Sequence, residues 1–223
     1  MLNGIDIICH AAGWPSFINT KKQSQKYYLE PSIDLINRAV EWRVKRFVNL
    51  SNIAVTDLAN RHNPSIEGKP RRYAAMLNCM LAVENYLKAQ AKENFSVVNL
   101  RTGIYSGKQL QMGVLPALLS RIQSRFLAEV IGNYGYLPLV DGRDIGQAFA
   151  RAALATNLPL YESINIVGPE VASQKAVYEF MQTDFNCPRP VIKLPARLFQ
   201  LYSSLAGLIS YREQPLLPRP LAD

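Results

Sequence analysis

Apolar and polar positions along this chain fall into blocks whose period changes. Ile5-Asp6-Ile7-Ile8-Cys9 is a short apolar run closed by His10-Ala11-Ala12-Gly13, the pattern of a buried strand running into a loop. Beyond it the period lengthens, with Ile33, Ile36, Ala39 and Val40 on one side of a helix and Asp34, Arg38 and Glu41 elsewhere. Arg46-Phe47-Val48-Asn49-Leu50-Ser51 reads as a second strand, and a polar, Pro- and Gly-containing loop runs from about Asn60 to Arg72. Met76, Met80, Val83 and Leu87 then trace one apolar stripe of a long helix. Phe95-Ser96-Val97-Val98-Asn99-Leu100 is the third strand, ending at Arg101-Thr102-Gly103. A helix-rich stretch to about Val130 follows, then a Gly- and Tyr-containing turn and a helix from Asp144. Ser163-Ile164-Asn165-Ile166-Val167 is a fourth strand, stopped by Gly168-Pro169. Strands separated by helices predict an α/β fold built of β-α units around an open parallel sheet.

Composition narrows this picture. With 223 residues, 48% of them hydrophobic, the chain holds one large domain or one and a half, and has ample material for a core. No apolar run reaches the roughly 20 residues that span a bilayer, and no basic segment precedes the first apolar stretch as in a secretory signal. Three cysteines are too few and too scattered for a disulfide framework or a metal site, so no metal is expected. Cys9 and Cys79 lie in apolar runs and are expected to be small buried residues in a cytoplasmic protein. The formal charge of +8 keeps acidic partners in play. Lys21-Lys22, Arg43-Lys45-Arg46 and Lys69-Pro70-Arg71-Arg72 read as solvated surface, however, and no nucleic-acid motif accompanies them, so no nucleic-acid partner is expected. His10, at a strand end, reads as structural, and Asp144 as the N-cap of its helix. Pro195 to Ile209 has the pattern of an amphipathic helix, for which membrane contact is a secondary expectation.

The ordered segments resemble a known family. Gly4-Ile5-Asp6-Ile7-Ile8-Cys9-His10-Ala11-Ala12 is similar to the fourth strand and cofactor-side loop of the extended short-chain dehydrogenase/reductases, the NAD(P)-dependent epimerase/dehydratase and 3β-hydroxysteroid dehydrogenase-like group. Val44 to Ser51 resembles the fifth strand. Leu100 to Gly107 resembles the sixth, with Arg101-Thr102 where Arg-Pro is usual. Leu137 to Ile145 and Ile164 to Glu170 resemble the later acidic segment and the strand and turn beyond it. The resemblance implies a partial Rossmann-like doubly wound parallel sheet, later strands only, with a helical C-terminal substrate-side region. Residues 1–107 would be the remaining part of the NAD(P)-binding domain and 108–223 the substrate side, interleaved with strand 163–167. The implied cofactor is NAD or NADP, and Ala11, Ala12, Gly13, Ser51, Arg101 and Thr102 fall at cofactor-binding positions. The helix from Pro195 resembles a substrate-side helix of sterol-dehydrogenase-like members.

Departures from the pattern shape the functional expectation. The family holds its dinucleotide on a Gly-rich turn of the first βαβ unit, where backbone N–H groups approach the pyrophosphate. None of the twelve glycines here forms such a turn, and about two β-α units, roughly 60 residues, are expected to be absent. The family's general acid/base is a Tyr with a Lys four residues later, whose charge lowers the phenol pKa. No tyrosine here has a lysine four residues on. Aligned on Leu81-Ala82-Val83-Glu84, Met76 takes the Tyr place, Met80 the Lys place and Asn52 the Ser/Thr place; Tyr73 is the nearest phenol, with Leu77 at its Lys place. Methionine neither transfers a proton nor carries charge, so no catalytic residue is assigned. Without a first strand beside it, Ile5 to Cys9 becomes an apolar sheet edge, which points to a homo-oligomer or a complementing N-terminal half as partner. Three readings follow: a non-catalytic relative of NAD(P)-dependent epimerases and dehydratases; an active oxidoreductase or epimerase on a sugar-nucleotide or sterol-like substrate when complete, with Tyr73 as acid; and a protein-interaction module with a basic docking face.

Overall fold

A computed structural model describes residues 4–13, 20–59, 71–107, 128–131, 136–169, 172–186 and 192–195. The chain opens with β1 (Ile7–His10), α1 (Lys21–Ser24), a π-helical turn (Gln25–Leu29) and α2 (Glu30–Glu41). Next come β2 (Arg46–Asn52), α3 (Ala54–Ala59), α4 (Arg71–Gln90), β3 (Ser96–Thr102) and β4 (Ile104–Ser106). The later elements are β5 (Ala128–Ile131), β6 (Tyr136–Leu137), β7 (Leu139–Asp141), α5 (Gly142–Leu154), β8 (Tyr161–Ile166), β9 (Ala172–Ser173), α6 (Gln174–Phe185) and β10 (Ile192–Pro195). They divide into two compact units: Met1–Gly103 with Gly142–Val167, and Ile104–Asp141 with Gly168–Asp223.

The first unit is built on a four-stranded sheet of order β1-β2-β3-β8 with every neighbouring pair parallel. The chain therefore steps away from β1 in one direction, as in one half of a doubly wound sheet. Alternation along each strand sends residues to opposite faces. On one face Phe47 and Val97 are sealed by Ile36 and Ala39 of α2 and by Met76, Cys79, Val83 and Leu87 of α4. On the other, Val48, Val98 and Leu100 meet Ala152 of α5, with Ala148, Phe149 and Ile164 around them. Of the expected stripes, Ile36 and Ala39 of α2 and Met76, Val83 and Leu87 of α4 are buried, Val40 and Met80 pack partly buried against them, and Ile33 is half-buried.

Local signals explain where the helices begin and end. Thr20 and Gln23 form a reciprocal capping box at the start of α1, with Gln23 N donating to Thr20 Oγ1 at 3.2 Å and Thr20 N to Gln23 Oε1 at 3.0 Å. Pro31 has no N–H to donate, and the widened π turn just before it absorbs the missing bond. The helix ends in a Schellman motif: Val44 N donates to Ala39 O at 2.9 Å and Arg43 N to Val40 O at 3.2 Å, with Arg43 left-handed at φ 57°. Arg46 fixes the end of α5 from the sheet. Its Nη1 donates to the carbonyls of Ala152, Ala153 and Ala155 at 2.9, 3.0 and 2.6 Å, and its Nε to Ser96 Oγ at 3.0 Å.

In the second unit β4 pairs parallel with β7, β5 parallel with β10, and β6 antiparallel with β9. Here four expectations are corrected or left aside. Ala128–Ile131 is a strand rather than the end of a helical stretch, because it pairs in register with Ile192–Pro195 and ends in two β-branched residues. Asp144 lies inside the first turn of α5 rather than at its cap, since the helix starts at Gly142; there its carboxylate faces the positive end of the helix dipole. Most of the loop expected at 60–72 and of the helix expected at 195–209 lies outside the described residues; within them Arg71 and Arg72 open α4 and Pro195 closes β10.

Cys79 is buried as expected, but Cys9 is exposed. Cys9 points to the α5 face at the edge strand, and α5 does not cover it. Among the described residues no helix is long and apolar enough to cross a membrane.

Candidate functional site at the carboxyl ends of the strands

Open parallel sheets bind ligands beyond the carboxyl ends of their strands. The α4 face of this sheet changes character toward that end, row by row. The first row, Ile8, Phe47, Val97 and Tyr161, is in register across all four strands and is apolar apart from one phenol. The second row, His10, Asn49, Asn99 and Ser163, is polar throughout, with the first three buried and Ser163 half-buried. Its side chains bond in series. Asn49 Oδ1 lies 3.0 Å from His10 Nδ1, Asn49 Nδ2 donates to Asn99 Oδ1 at 3.0 Å, and Asn99 Nδ2 donates to Ser163 Oγ at 3.4 Å. Ser163 Oγ in turn donates to Tyr161 Oη at 3.2 Å. An amide oxygen only accepts, so Nδ1 of His10 is the donor in its bond to Asn49.

The third row carries charge. Arg101 Nε donates to both carboxylate oxygens of Glu84 at 3.1 Å, its Nη2 donates to the same carboxylate, and its Nη1 reaches Thr56 Oγ1 at 3.3 Å. Thr56 Oγ1 donates onward to Asn165 Oδ1 at 3.4 Å. Glu84 is 1% exposed, so this ion pair sits in the core of the unit rather than in solvent. The hydrogen bond to Glu84 pushes the Arg101 guanidinium further above its ordinary range, against the effect of burial.

The six residues implied at the cofactor are placed as follows. Ala11, Ala12 and Gly13 form the exposed segment beyond β1. Gly13 has no left-handed backbone, and a Cβ built there meets no atom within 4 Å. Ser51 is buried, and its hydroxyl has no hydrogen-bond partner. Arg101 is committed to Glu84. Thr102 points to the opposite face, where its hydroxyl donates to the Ser51 carbonyl at 3.2 Å. Asn52, at the family's Ser/Thr place, accepts from Ala54 N at 2.9 Å with its Oδ1 and so begins α3. Met76 and Met80 pack into the α4 side of the core. The side chain of Tyr73 lies outside the described residues.

These groups do not fit the phosphates of a dinucleotide. No Gly-rich strand-to-helix turn is present among the described residues, and the guanidinium nearest the strand ends is neutralised by a carboxylate. What remains around Ser51, Thr56 and Asn165 can donate and accept hydrogen bonds.

Sequence reading missed the amide row and the Glu84–Arg101 pair. The first had a signal: Val48-Asn49-Leu50 and Val98-Asn99-Leu100 put the same polar residue at the same place in two buried strands.

No protein-family model matches the sequence, and no curated protein matches it. Solved structures share its fold. MoeE5 in complex with UDP-glucuronic acid and NAD aligns with a TM-score of 0.68 over 87% of this chain and 67% of its own, at 18% identity. The UDP-glucose 4-epimerase of Thermotoga maritima with UDP-glucose gives 0.65 over 85% and 64%, at 14% identity. The UDP-N-acetylglucosamine 4-epimerase from Methanobrevibacter ruminantium M1 in complex with UDP-N-acetylmuramic acid gives 0.64 over 94% and 78%, at 16% identity. The fold is therefore the Rossmann-like α/β fold of these solved structures, as the sequence led us to expect. The chain spans about two thirds of the length of the first two.

Proposed function

We propose that this chain is a relative of the NAD-dependent nucleotide-sugar epimerases and dehydratases whose cleft is catalytically silent as it stands. The observation that carries the reading is the face of α4 turned to the sheet. The two positions that would bear a phenol and an ammonium hold Met76 and Met80, and both pack against the core. Around them the side chains at the ends of β2, β3 and β8 are hydroxyls, amides and one neutralised ion pair, which can orient a ligand, while the imidazole of His10 at the end of β1 is buried with its Nδ1 held by Asn49. NAD is the cofactor of the solved MoeE5 complex, and it is the cofactor against which this chain should be tested.

The test is a thermal-shift titration of the full chain with NAD+ and NADH, followed by an assay for epimerisation of UDP-glucose. A ligand bound only by the folded state at about 100 times its Kd stabilises by roughly 2.7 kcal/mol, which moves the melting point by several degrees. No shift at millimolar dinucleotide and no turnover are expected. Saturable stabilisation, or sugar epimerised at any rate above the buffer control, would sink the proposal.

A further inference from the structure

Where α1 and the π-helical turn after it pass α4, the two helical stretches do not close on each other. Lys21, Gln25 and Leu29 recur every four residues and share one face of the first stretch. Ala75, Asn78, Cys79 and Ala82 share one face of α4 by the same spacing. Packed helices lie about 8–10 Å apart, a gap that larger apolar side chains fill. Here α4 offers two alanines, too short to cross it, while Lys21 and Gln25 carry polar ends that stay toward water. The result is a cavity of about 480 Å³ lined by these residues. Small-molecule sites typically span about 300–1,000 Å³.

The lining is graded from floor to mouth. Cys79, 5% exposed, lies deepest, and Leu29, Ala75 and Ala82 make apolar walls. Lys21 and Asn78 are exposed and stand at the mouth, with Gln25 half-buried. Among the described residues the Lys21 ammonium has no carboxylate partner, and the side-chain amides of Gln25 and Asn78 have no hydrogen-bond partner. Burial raises the Cys79 thiol and the Lys21 charge draws it back down, so the field of the ammonium reaches the floor.

We propose that this cavity binds a straight-chain carboxylate. The hydrocarbon body lies against Leu29, Ala75 and Ala82, and the carboxylate accepts from the Lys21 ammonium and from the amide N–H groups of Gln25 and Asn78 at the mouth. Apolar walls with one uncompensated cation at one end select an anion with an apolar tail over a neutral chain or a bare anion. A nucleotide is a poor match, because the lining has no aromatic ring for a base and one cation for its phosphates.

The test is equilibrium dialysis of the full chain against radiolabelled octanoate, with unlabelled octanamide and acetate as competitors. One saturable site is expected, and each competitor should displace octanoate only at concentrations at least about tenfold above those of unlabelled octanoate. Lys21→Met should weaken binding about tenfold by removing the cation, and Ala82→Leu should abolish it by filling the cavity, both with unchanged circular dichroism. No saturable binding at millimolar octanoate, octanamide competing as well as octanoate, or undiminished binding in either folded variant would each overturn the proposal. If one variant fails to fold, the other and the competitor series still decide it. The outcome is independent of the dinucleotide titration, which probes the carboxyl ends of the strands.

Discussion

The apolar row at Ile8, Phe47, Val97 and Tyr161 and the two polar rows beyond it stand on one face of one sheet, about two residues apart along each strand, yet they hold the fold in different ways. Burial of Phe47 and Val97 is non-directional, so the first row depends on volume and tolerates replacement by a side chain of similar size. The amide row and the ion pair are directional. Asn49, Asn99 and Glu84 are buried and bonded to named neighbours, so losing one partner strands the other. Stability and brittleness are therefore separated along the strands: the sheet is forgiving in its middle and unforgiving toward its carboxyl ends.

Mutations can break this contrast in graded fashion. Arg101→Met should be the most damaging, at about 3–5 kcal/mol in urea unfolding, because it leaves the Glu84 carboxylate buried without a partner; the double change Arg101→Met with Glu84→Met should recover most of the loss. Asn99→Leu should cost about 1–3 kcal/mol by orphaning Asn49 Nδ2, and the double change Asn49→Leu with Asn99→Leu should cost less than the sum of the single changes. Phe47→Leu, in the apolar row, should cost under about 1.5 kcal/mol. A larger loss at Phe47 than at Asn99 would reverse the contrast.

The remaining effects are smaller. Burial raises the Cys79 thiol, so the folded state prefers it neutral. Stability tied to that preference is present below the ordinary thiol range and is lost as pH rises through the raised value, giving an alkaline slope that Cys79→Ala should flatten. Arg43→Gly should stabilise by about 0.5–1 kcal/mol, since glycine carries no penalty in the left-handed turn that closes α2. Ser51→Ala should change stability least, because the Ser51 hydroxyl has no partner to lose.

What could be read from the sequence follows the same division. The apolar stripes Ile36–Ala39 and Met76–Val83–Leu87 and the four strands were legible, because hydrophobic periodicity reports burial directly. The partners of polar residues were not. Asn49 and Asn99 look like interruptions in strands until register sets them side by side, and Glu84 looks like a solvent residue until α4 rolls it onto Arg101. Arg46, read as part of a solvated basic patch, turns out to hold three carbonyls more than a hundred residues away. Strand 128–131 was missed because its pairing partner lies some sixty residues downstream. Cys9 was misjudged for a related reason: composition says an apolar run is buried, and topology decides whether a layer exists to bury it.

The place of β8 has a consequence for synthesis. Its strand docks on β3, but Ser163 is 64 residues downstream of Asn99, with the whole of Ile104–Asp141 translated in between. At about 5–20 residues per second the ribosome needs roughly 3–13 s to cover that distance. Through that interval the nascent chain displays an unfinished margin on β3. The end of Asn99's amide series dangles there until Ser163 emerges. This waiting period is when a chaperone, or a neighbouring ribosome's product, has its opportunity.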